Sequence, residues 1–193
     1  MKLVIVKYNA GNIQSVLYAL ERIGMEAMVT DDHNEIQNAD KVIFPGVGEA
    51  STVMNYLQEH GLDTVIKNLQ QPVLGICLGM QLMCKYSEEN DTDCLGIFDT
   101  SVKKFTGNLK IPQIGWNTVE NISEPLFKEI TPASYCYFVH SYYAELCNET
   151  AAVTDYGIKF SSALQKNNFY GVQFHPEKSA GVGEKILKNF INI

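Results

Sequence analysis

The sequence has few basic residues and no cluster of them, which excludes the usual basis for binding nucleic acid. Its 193 residues include 15 lysines and arginines against 22 aspartates and glutamates, for a formal net charge of −7. Proteins bind a phosphate backbone through several cationic side chains gathered on one surface. We therefore expect no nucleic-acid partner for this chain.

The sequence also lacks a long hydrophobic run. The longest nearly apolar stretch, residues 73–84, includes Gln81. It is shorter than the roughly 20 apolar residues that a membrane-spanning helix needs. Residues 1–6 offer too few apolar positions for the core of a secretory signal peptide. We therefore expect a cytoplasmic protein that does not bind a membrane.

Paired cysteines and cofactor motifs are missing as well. The five cysteines are odd in number and have no C-x-x-C spacing, so they suit neither a disulfide framework nor a zinc site. The sequence contains no P-loop and no dinucleotide-binding fingerprint. We interpret the cysteines as reduced thiols, and we expect neither a metal nor a cofactor.

The first half of the sequence alternates short aliphatic runs with segments of helical periodicity. Strands are predicted at residues 3–6, 26–29, 41–44 and 73–76, and helices at residues 12–23, 49–57, 62–69 and 78–86. Continuous aliphatic runs are typical of strands that are buried on both faces of a parallel sheet. The alternation predicts a doubly wound, mostly parallel α/β sheet with helices on both faces.

Beyond about residue 90 the pattern changes. Aromatic and β-branched segments there predict further strands at residues 102–105, 135–139, 142–146, 160–165 and 169–174, and a helix at residues 183–190. We expect these strands to be partly antiparallel additions to the same sheet. No linker or repeat separates them from the first half, so we expect one domain over residues 1–193.

The most informative local pattern is the sequence GICLG at residues 75–79, between a predicted strand and a predicted helix. Glycines on both sides of Cys77 permit the tight strand-to-helix turn that presents a nucleophile in many hydrolases. At a helix N-terminus the macrodipole stabilises a thiolate over a thiol. The amide of Leu78 would be free to face a developing oxyanion. A buried structural cysteine between two packing glycines is the alternative interpretation.

A cysteine nucleophile requires a group that transfers protons, and we favour His175 over His140 for that task. His175 is followed by Pro176 and Glu177. Proline favours an extended residue before it, and side chains two positions apart in extended chain point to the same side. We therefore expect Glu177 to orient the imidazole and to stabilise its charge. The alternative is a strand-end histidine beside a solvated glutamate.

The sequence PGVG at residues 45–48 follows another predicted strand. Two glycines in four residues allow backbone amides to approach a ligand or to change direction. In a doubly wound sheet, ligands bind at the carboxyl ends of the strands. Because this loop and Cys77 both occupy such ends, we expect them to share a site.

Together these patterns resemble those of the class I, or triad-type, glutamine amidotransferases. The resemblance is carried by GICLGMQ, FHPE, PGVG, PQIGWN, YFVHSY and HPEKS, at residues 75–81, 174–177, 45–48, 112–117, 137–142 and 175–179. It covers essentially the whole chain, from residue 3 to residue 190. Within the family, the set is similar to the branch that serves a cyclase of histidine biosynthesis.

The resemblance implies a flavodoxin-like fold and an enzyme that hydrolyses glutamine to glutamate and ammonia. Cys77 would be the nucleophile, His175 the general acid and base, and Glu177 its orienting carboxylate. The ammonia would pass, within a heterodimer, to a cyclase subunit that makes imidazole glycerol phosphate and an aminoimidazole carboxamide ribonucleotide.

The resemblance also implies three groups of further site residues. These are an oxyanion hole at Val47, Gly48 and Leu78, a glutamine-binding set of Gly46, Gln81, Glu89, Ser141 and Tyr142, and a partner interface at Asn12, Trp116, Tyr137 and Lys178. We interpret Trp116 as an interface anchor. Its alternative is packing in the core, because tryptophan is highly buried on average.

One segment departs from the family pattern. Residues 7–12 read KYNAGN, where many relatives begin with Asp-Tyr-Gly. In the family this loop faces the synthase, so the departure leaves open a sugar-amidating partner of surface-polysaccharide synthesis. A non-catalytic regulatory subunit is a further alternative, which the complete triad disfavours. A cysteine peptidase would not explain Gln81 or the segment around Trp116.

Overall fold

The computed structural model describes residues 1–8 and 12–193, and its strands and helices follow in chain order. The strands are β1 (Leu3–Val6), β2 (Met28–Thr30), β3 (Lys41–Phe44), β4 (Val73–Ile76), β5 (Cys84–Ser87), β6 (Thr92–Asp93), β7 (Phe98–Lys104), β8 (Gln113–Val119), β9 (Ser134–His140), β10 (Tyr142–Ala144), β11 (Thr150–Asp155), β12 (Lys159–Lys166) and β13 (Phe169–Val172). The helices are α1 (Ile13–Arg22), α2 (His33–Gln37), α3 (Ala50–Glu59), α4 (Leu62–Lys67), α5 (Leu78–Met83) and α6 (Ala180–Asn192), and Pro176–Lys178 forms a 3₁₀ turn.

The predicted parallel sheet with antiparallel additions is confirmed. Strands β2, β1, β3, β4 and β13 lie side by side and are all parallel. Strands β12, β10, β7, β5 and β6 extend the sheet with mostly antiparallel pairing, and β11 pairs with β12. Strands β8 and β9 form a separate antiparallel ribbon.

Side chains of the central strands alternate between two hydrophobic clusters, one on each face of the sheet. Val42 and Phe44 belong to the cluster that contains Leu57 of α3. Ile43, between them, belongs to the cluster that contains Leu20 of α1 and also includes side chains of α6. Successive strand residues point to opposite faces, so an unbroken aliphatic run is the pattern that fills both clusters.

The helix predicted over residues 78–86 ends earlier than expected. Cys84 has φ −67° and ψ 176°, and it begins strand β5. The Leu82, Met83 and Cys84 carbonyls accept hydrogen bonds from the amides of residues 95–97. These hydrogen bonds from residues 95–97 favour a strand at Cys84 over a further turn of helix. Strand β2 also begins later than predicted, and α2, β6, β8 and β11 are elements that the sequence did not predict.

Among the helices of residues 1–8 and 12–193, none is both long and apolar enough to cross a bilayer. All five cysteines lie in these ranges, and none forms a disulfide.

Candidate active site

Three neighbouring strands carry the predicted catalytic residues at their carboxyl ends. The 45–48 loop follows β3, Cys77 follows β4, and His175 lies three residues beyond β13. Strand β4 pairs in parallel with both β3 and β13. These ends therefore meet at one edge of the sheet, where open α/β folds bind ligands.

Cys77 occupies a strained turn between β4 and α5. Its φ of 53° and ψ of −111° lie in a region that residues with side chains rarely adopt. The Cys77 amide donates to the Val172 carbonyl at 2.7 Å, so the turn is fixed to β13. The predicted placement of Cys77 in a tight turn between a strand and a helix is therefore present, and backbone strain at that position is the expected signature of a nucleophile elbow.

Glycines allow the 45–48 loop to pack directly against this elbow. A Cβ atom on Gly79 would lie 2.0 Å from the Phe44 carbonyl oxygen, and one on Gly46 would lie 2.2 Å from the Gly79 nitrogen. Gly48 has open space around it but a φ of +121°, which favours glycine for its backbone alone. Glycine is required at positions 46 and 79 because the two backbones approach each other closely, whereas it is favoured at position 48 by the positive φ of the backbone.

His175 and Glu177 form a buried pair. His175 Nδ1 lies 2.8 Å from Glu177 Oε1, and their side chains are 4% and 1% exposed. The expected contact is present, but the backbone reason given for it was incomplete. His175 is extended, whereas Glu177 lies in the Pro176–Lys178 3₁₀ turn, which folds the carboxylate back beneath the ring.

Electrostatics favour a protonated His175. Burial of the ring opposes its protonation, but hydrogen bonds to Cys77 and Glu177 and attraction to both outweigh burial. Together they raise the pKa of His175 from 6.5 to about 10. An imidazolium between a thiolate and a carboxylate is the charge distribution needed for a thiolate that attacks and a histidine that then protonates the leaving group.

His140 lacks the features of a proton-transfer group. Its Nδ1 lies 2.7 Å from the Tyr142 carbonyl oxygen, which can only accept, so Nδ1 carries the hydrogen. Burial lowers the pKa of His140 to about 4, with a minor contribution from His175. No carboxylate contacts His140 among the hydrogen bonds of the described residues. The preference for His175 therefore has a structural basis.

A cavity of about 500 Å³ lies in front of Cys77. Its walls include most of the residues predicted for the site. They are Asn12, Val47, Gly48, Cys77, Leu78, Gln81, Glu89, Pro112, Val139, His140, Ser141, Tyr142, His175 and Lys178. Glu177, Trp116 and Tyr137 do not line the cavity, and Gly46, predicted to bind glutamine, instead packs against the start of α5. The arrangement suits acyl transfer from a small amide.

Comparison with known proteins gives a consistent result over the whole chain. Residues 4–193 match the family described as Glutamine amidotransferase class-I. The chain belongs to this family. It is 57% identical, over the full length of both, to the imidazole glycerol phosphate synthase subunit HisH of Bacteroides thetaiotaomicron. It is 43% identical to the protein of the same name from Vibrio parahaemolyticus, over 100% of this chain and 98% of that one.

Solved structures share the class-I amidotransferase fold at low sequence identity. A putative GMP synthase protein from Thermoplasma acidophilum has a TM-score of 0.77 and 21% identity, over 100% of this chain and 93% of that one. The structure of PurLQS from Thermotoga maritima has a TM-score of 0.73 and 14% identity, over 99% of this chain and 97% of that one. At such identities the likeness concerns the fold alone.

Two residues that the amidotransferase resemblance assigned to glutamine binding have protein contacts as well. Gln81 is 5% exposed, and its Nε2 donates to the Tyr142 carbonyl at 2.8 Å. The Glu89 carboxylate accepts from the Ala50 amide at 2.9 Å. Burial raises the pKa of Glu89, although that hydrogen bond opposes the rise. Both side chains are thus held in place at the cavity wall.

Of the four residues assigned to a partner interface, Trp116 and Tyr137 pair on the ribbon of β8 and β9, and Asn12 and Lys178 line the cavity. Trp116 is 52% exposed and packs edge-on against Tyr137, with ring centroids 5.8 Å apart. The alternative of core packing for Trp116 is therefore wrong. Lys178 is exposed and lines the cavity. Asn12 lines it too, and its amide contacts Glu177. Residues 9–11 of the atypical first loop lie outside the described residues.

The sequence did not indicate the part that Gln173 plays. Gln173 is completely buried, and its side chain lies between Gln81 and Cys77. One signal was available, since an amide side chain between Val172 and Phe174 interrupts an otherwise apolar strand end. Its register against Cys77 depends on the pairing of β4 with β13, which sequence periodicity does not specify.

Proposed function

We propose that this chain is the glutaminase subunit of an imidazole glycerol phosphate synthase. In this proposal it hydrolyses glutamine and passes ammonia to a cyclase subunit that makes imidazole glycerol phosphate and an aminoimidazole carboxamide ribonucleotide. The observation that carries the catalytic part is the buried His175–Glu177 pair, whose histidine shares the cavity with Cys77. The relatives named HisH, at 57% and 43% identity over whole chains, support the choice of pathway.

The reaction follows from the proposed roles of the triad. Cys77 Sγ, as a thiolate, attacks the γ-carbonyl carbon of glutamine and forms a C–S bond. His175 gives its proton to the departing nitrogen, and ammonia leaves with the electron pair of the broken C–N bond. Water then attacks the γ-glutamyl thioester, and His175 removes its proton. The C–S bond breaks to release glutamate, while Glu177 holds the ring and stabilises its positive charge.

Backbone amides would stabilise the tetrahedral intermediate. The Leu78 amide is the first of α5 and has no carbonyl four residues back in its own helix to bond. Val47 and Gly48, in the glycine-rich loop that packs against the elbow, line the same cavity. We assign the oxyanion hole to Leu78 and to Val47 or Gly48. Removing one such donor costs about 3 kcal/mol in the barrier, so the orientation of this loop can control the rate.

The cavity walls would hold the rest of the substrate. Glu89 presents a carboxylate to the α-ammonium group of glutamine, and Gln81 lies near the position of the amide. Backbone groups of Ser141 and Tyr142 complete this wall. Glutamine, with an aliphatic chain between polar ends, fits walls that combine apolar and polar groups.

We propose that the cyclase docks on the ribbon of β8 and β9, over Trp116 and Tyr137, and that Asn12 and Lys178 link this face to the cavity. A half-exposed tryptophan packed on a tyrosine is a typical interface anchor. The result would be a heterodimer. We place it in the cytoplasm, where five unpaired cysteines would remain reduced.

The test is to purify the chain with the histidine-pathway cyclase of the same genome and to measure glutamine-dependent product formation. We expect synthesis from glutamine with wild type. A Cys77→Ser variant should support synthesis from ammonium salts but not from glutamine. If the cyclase neither binds the chain nor uses its ammonia, while a sugar-amidating enzyme does, the pathway is wrong and the glutaminase chemistry stands.

A further inference from the structure

We infer that Gln173 is a further catalytic residue, whose side-chain amide donates a hydrogen bond to the Cys77 sulfur and favours the thiolate. The inference rests on the proposed role of Cys77 as the nucleophile. Gln173 Nε2 lies 3.6 Å from Cys77 Sγ, within the range of N–H···S hydrogen bonds, and the residue has no exposed surface.

The backbone places Gln173 beside the nucleophile. Strands β4 and β13 pair in parallel with Gly75 opposite Gly171 and Ile76 opposite Val172. The next pair in this register would be Cys77 and Gln173. On the other side, the backbone N–H of Gln173 donates to the Ser162 carbonyl of β12 at 2.9 Å. Both neighbouring strands therefore fix the position of Gln173.

Neighbouring groups determine which end of the Gln173 amide faces the sulfur. The Tyr142 carbonyl oxygen can only accept, so the nitrogen of Gln81 must face it, at 2.8 Å. The same nitrogen has a second hydrogen, which it donates to Gln173 Oε1 at 2.8 Å. Because the oxygen of Gln173 is thus occupied, its nitrogen points to Cys77. Reversal of either amide would bring like groups together.

The burial of Gln173 requires an explanation that packing alone does not provide. Burying an amide is unfavourable unless its polar atoms are hydrogen-bonded. Its neighbours Val172 and Phe174 are apolar and also completely buried. The side-chain hydrogen bonds of Gln173 go to Gln81 and Cys77, which both line the cavity. A donor in such a dry site interacts strongly with a negatively charged sulfur and weakly with a neutral thiol.

The hydrogen bonds form a chain from the substrate wall to the nucleophile. It runs from the Tyr142 carbonyl through Gln81 and Gln173 to Cys77 Sγ. Any displacement of Gln81 when glutamine binds would be transmitted to Gln173. Gln173 thus acts on the reacting sulfur itself, and it connects that sulfur to the residues that hold the substrate.

The test measures the ionisation of Cys77 without glutamine. Iodoacetamide labelling of the full-length chain is followed by peptide mass spectrometry over a range of pH, which gives the midpoint for thiolate formation at Cys77. Two variants are compared with wild type. Gln173→Met has a similar volume but no donor. Gln173→Glu retains the acceptor for Gln81 and adds a carboxylate that repels the thiolate. Gln113→Met makes the same change at a buried glutamine of β8 and controls for loss of a buried amide.

We expect Gln173→Met to move the labelling midpoint up by about one pH unit, a tenfold change in the thiolate-to-thiol ratio at a given pH. Gln173→Glu should move it further, whereas Gln113→Met should match wild type. Unchanged midpoints in whichever Gln173 variant folds, judged by circular dichroism, would overturn the inference. Failure of Cys77 to label selectively in wild type would instead contradict its proposed role as the nucleophile.

Discussion

The side-chain amide of Asn12 donates a hydrogen bond of 2.7 Å to Glu177 Oε1 across 165 positions of sequence. This is the oxygen that His175 Nδ1 contacts at 2.8 Å. Asn12 precedes α1 and has a φ of 73°, in the left-handed region. A residue expected only at a partner interface therefore also contacts the carboxylate of the proposed triad. Movement of this end of α1 on docking would alter the support of the imidazole.

Replacement of Asn12 should lower glutaminase activity. Asn12→Gly removes the donor while it tolerates the left-handed backbone, and we expect kcat to fall about tenfold, because a hydrogen bond to a charged group is worth roughly 1.5–3 kcal/mol. Asn12→Asp should be worse, since it places a second carboxylate against Glu177. Steady-state rates at saturating cyclase separate this effect from weaker docking. Wild-type kcat in both variants would show that the contact has no catalytic part.

A glutamine affinity label, such as a diazo-ketone analogue, should modify Cys77 and leave the other four thiols intact. Cys77 faces the cavity, whereas burial raises the pKa of both Cys94 and Cys136 to about 12 and also raises the pKa of Cys84 and Cys147. A thiol that stays protonated is a poor nucleophile. Peptide mapping after labelling is the measurement. Comparable labelling at Cys136 would contradict the assignment, and excess free glutamine should protect Cys77.

The sequence predicted the local contacts of the candidate site better than its long-range contacts. The 75–79 pattern indicated a strand, a nucleophile and a helix because glycines at both ends are a local requirement of that turn. His175 and Glu177 are close in sequence, so a local argument could pair them, although it missed the 3₁₀ turn that does so. Asn12 and Gln173 contact the triad across 165 and 96 positions. Such contacts depend on strand order and register, which hydrophobic periodicity leaves open.

The same distinction explains the errors in secondary structure. Strands β1, β3 and β4 were predicted with their observed bounds. A short, continuous aliphatic run is typical of a strand that is buried on both faces of a sheet, so this pattern was easy to assign. Strand β5 was predicted as helix, since residues 84–86 continue an apolar helical pattern. Backbone hydrogen bonds from residues 95–97 determine that this segment is a strand. Those partners are too far away in sequence for a local hydrophobic pattern to reveal them.

The buried His175–Glu177 pair should make stability depend on pH in a specific direction. The pKa of His175 is raised above 6.5 to about 10 in the folded protein. Its contribution to stability is therefore complete below pH 6.5 and is lost as pH rises through about 10. Glu177→Gln removes one cause of the raised pKa. We expect it to lower the free energy of unfolding by about 2 kcal/mol near pH 6 and by less near pH 10.

Urea denaturation of wild type and Glu177→Gln at both pH values tests this. NMR titration of His175 should in addition show a lower midpoint in the variant. A difference in unfolding free energy that grows with pH would mean that the imidazole is neutral in the folded state. We also expect Glu177→Gln to retain more activity than His175→Ala, since in the proposed mechanism His175 transfers the proton and Glu177 only orients it.

Gly79→Ala should destabilise the fold strongly. The added Cβ would lie 2.0 Å from the Phe44 carbonyl oxygen, which belongs to a central strand and cannot move freely. We expect a loss of about 3 kcal/mol in unfolding free energy, measured by denaturant. Gly181→Ala in α6 is the matched control, because no atom lies within 4 Å of its added Cβ. That variant should be neutral or more stable by up to about 1 kcal/mol.

The last prediction concerns Trp116 and separates docking from catalysis. Trp116 is 52% exposed, stands on the ribbon of β8 and β9, and does not line the cavity. If it anchors the cyclase, Trp116→Ala should weaken binding by about 2 kcal/mol, roughly thirtyfold in Kd. At subsaturating cyclase, partner-stimulated glutamine hydrolysis should fall accordingly. Synthesis from ammonium salts should survive, because in the proposed division of labour added ammonia replaces the product of this chain.

Tyr18→Ala provides the control, as Tyr18 is similarly exposed at 56% but lies on α1 rather than on the ribbon. Both variants should keep wild-type folding, since neither side chain is part of the hydrophobic clusters. Equal effects of the two on Kd would indicate a general surface change. Unaltered affinity in Trp116→Ala, measured by calorimetry, would move the docking face away from the ribbon. The half-exposed Trp116 would then need another partner, because a tryptophan half open to water gains little by packing on Tyr137 alone.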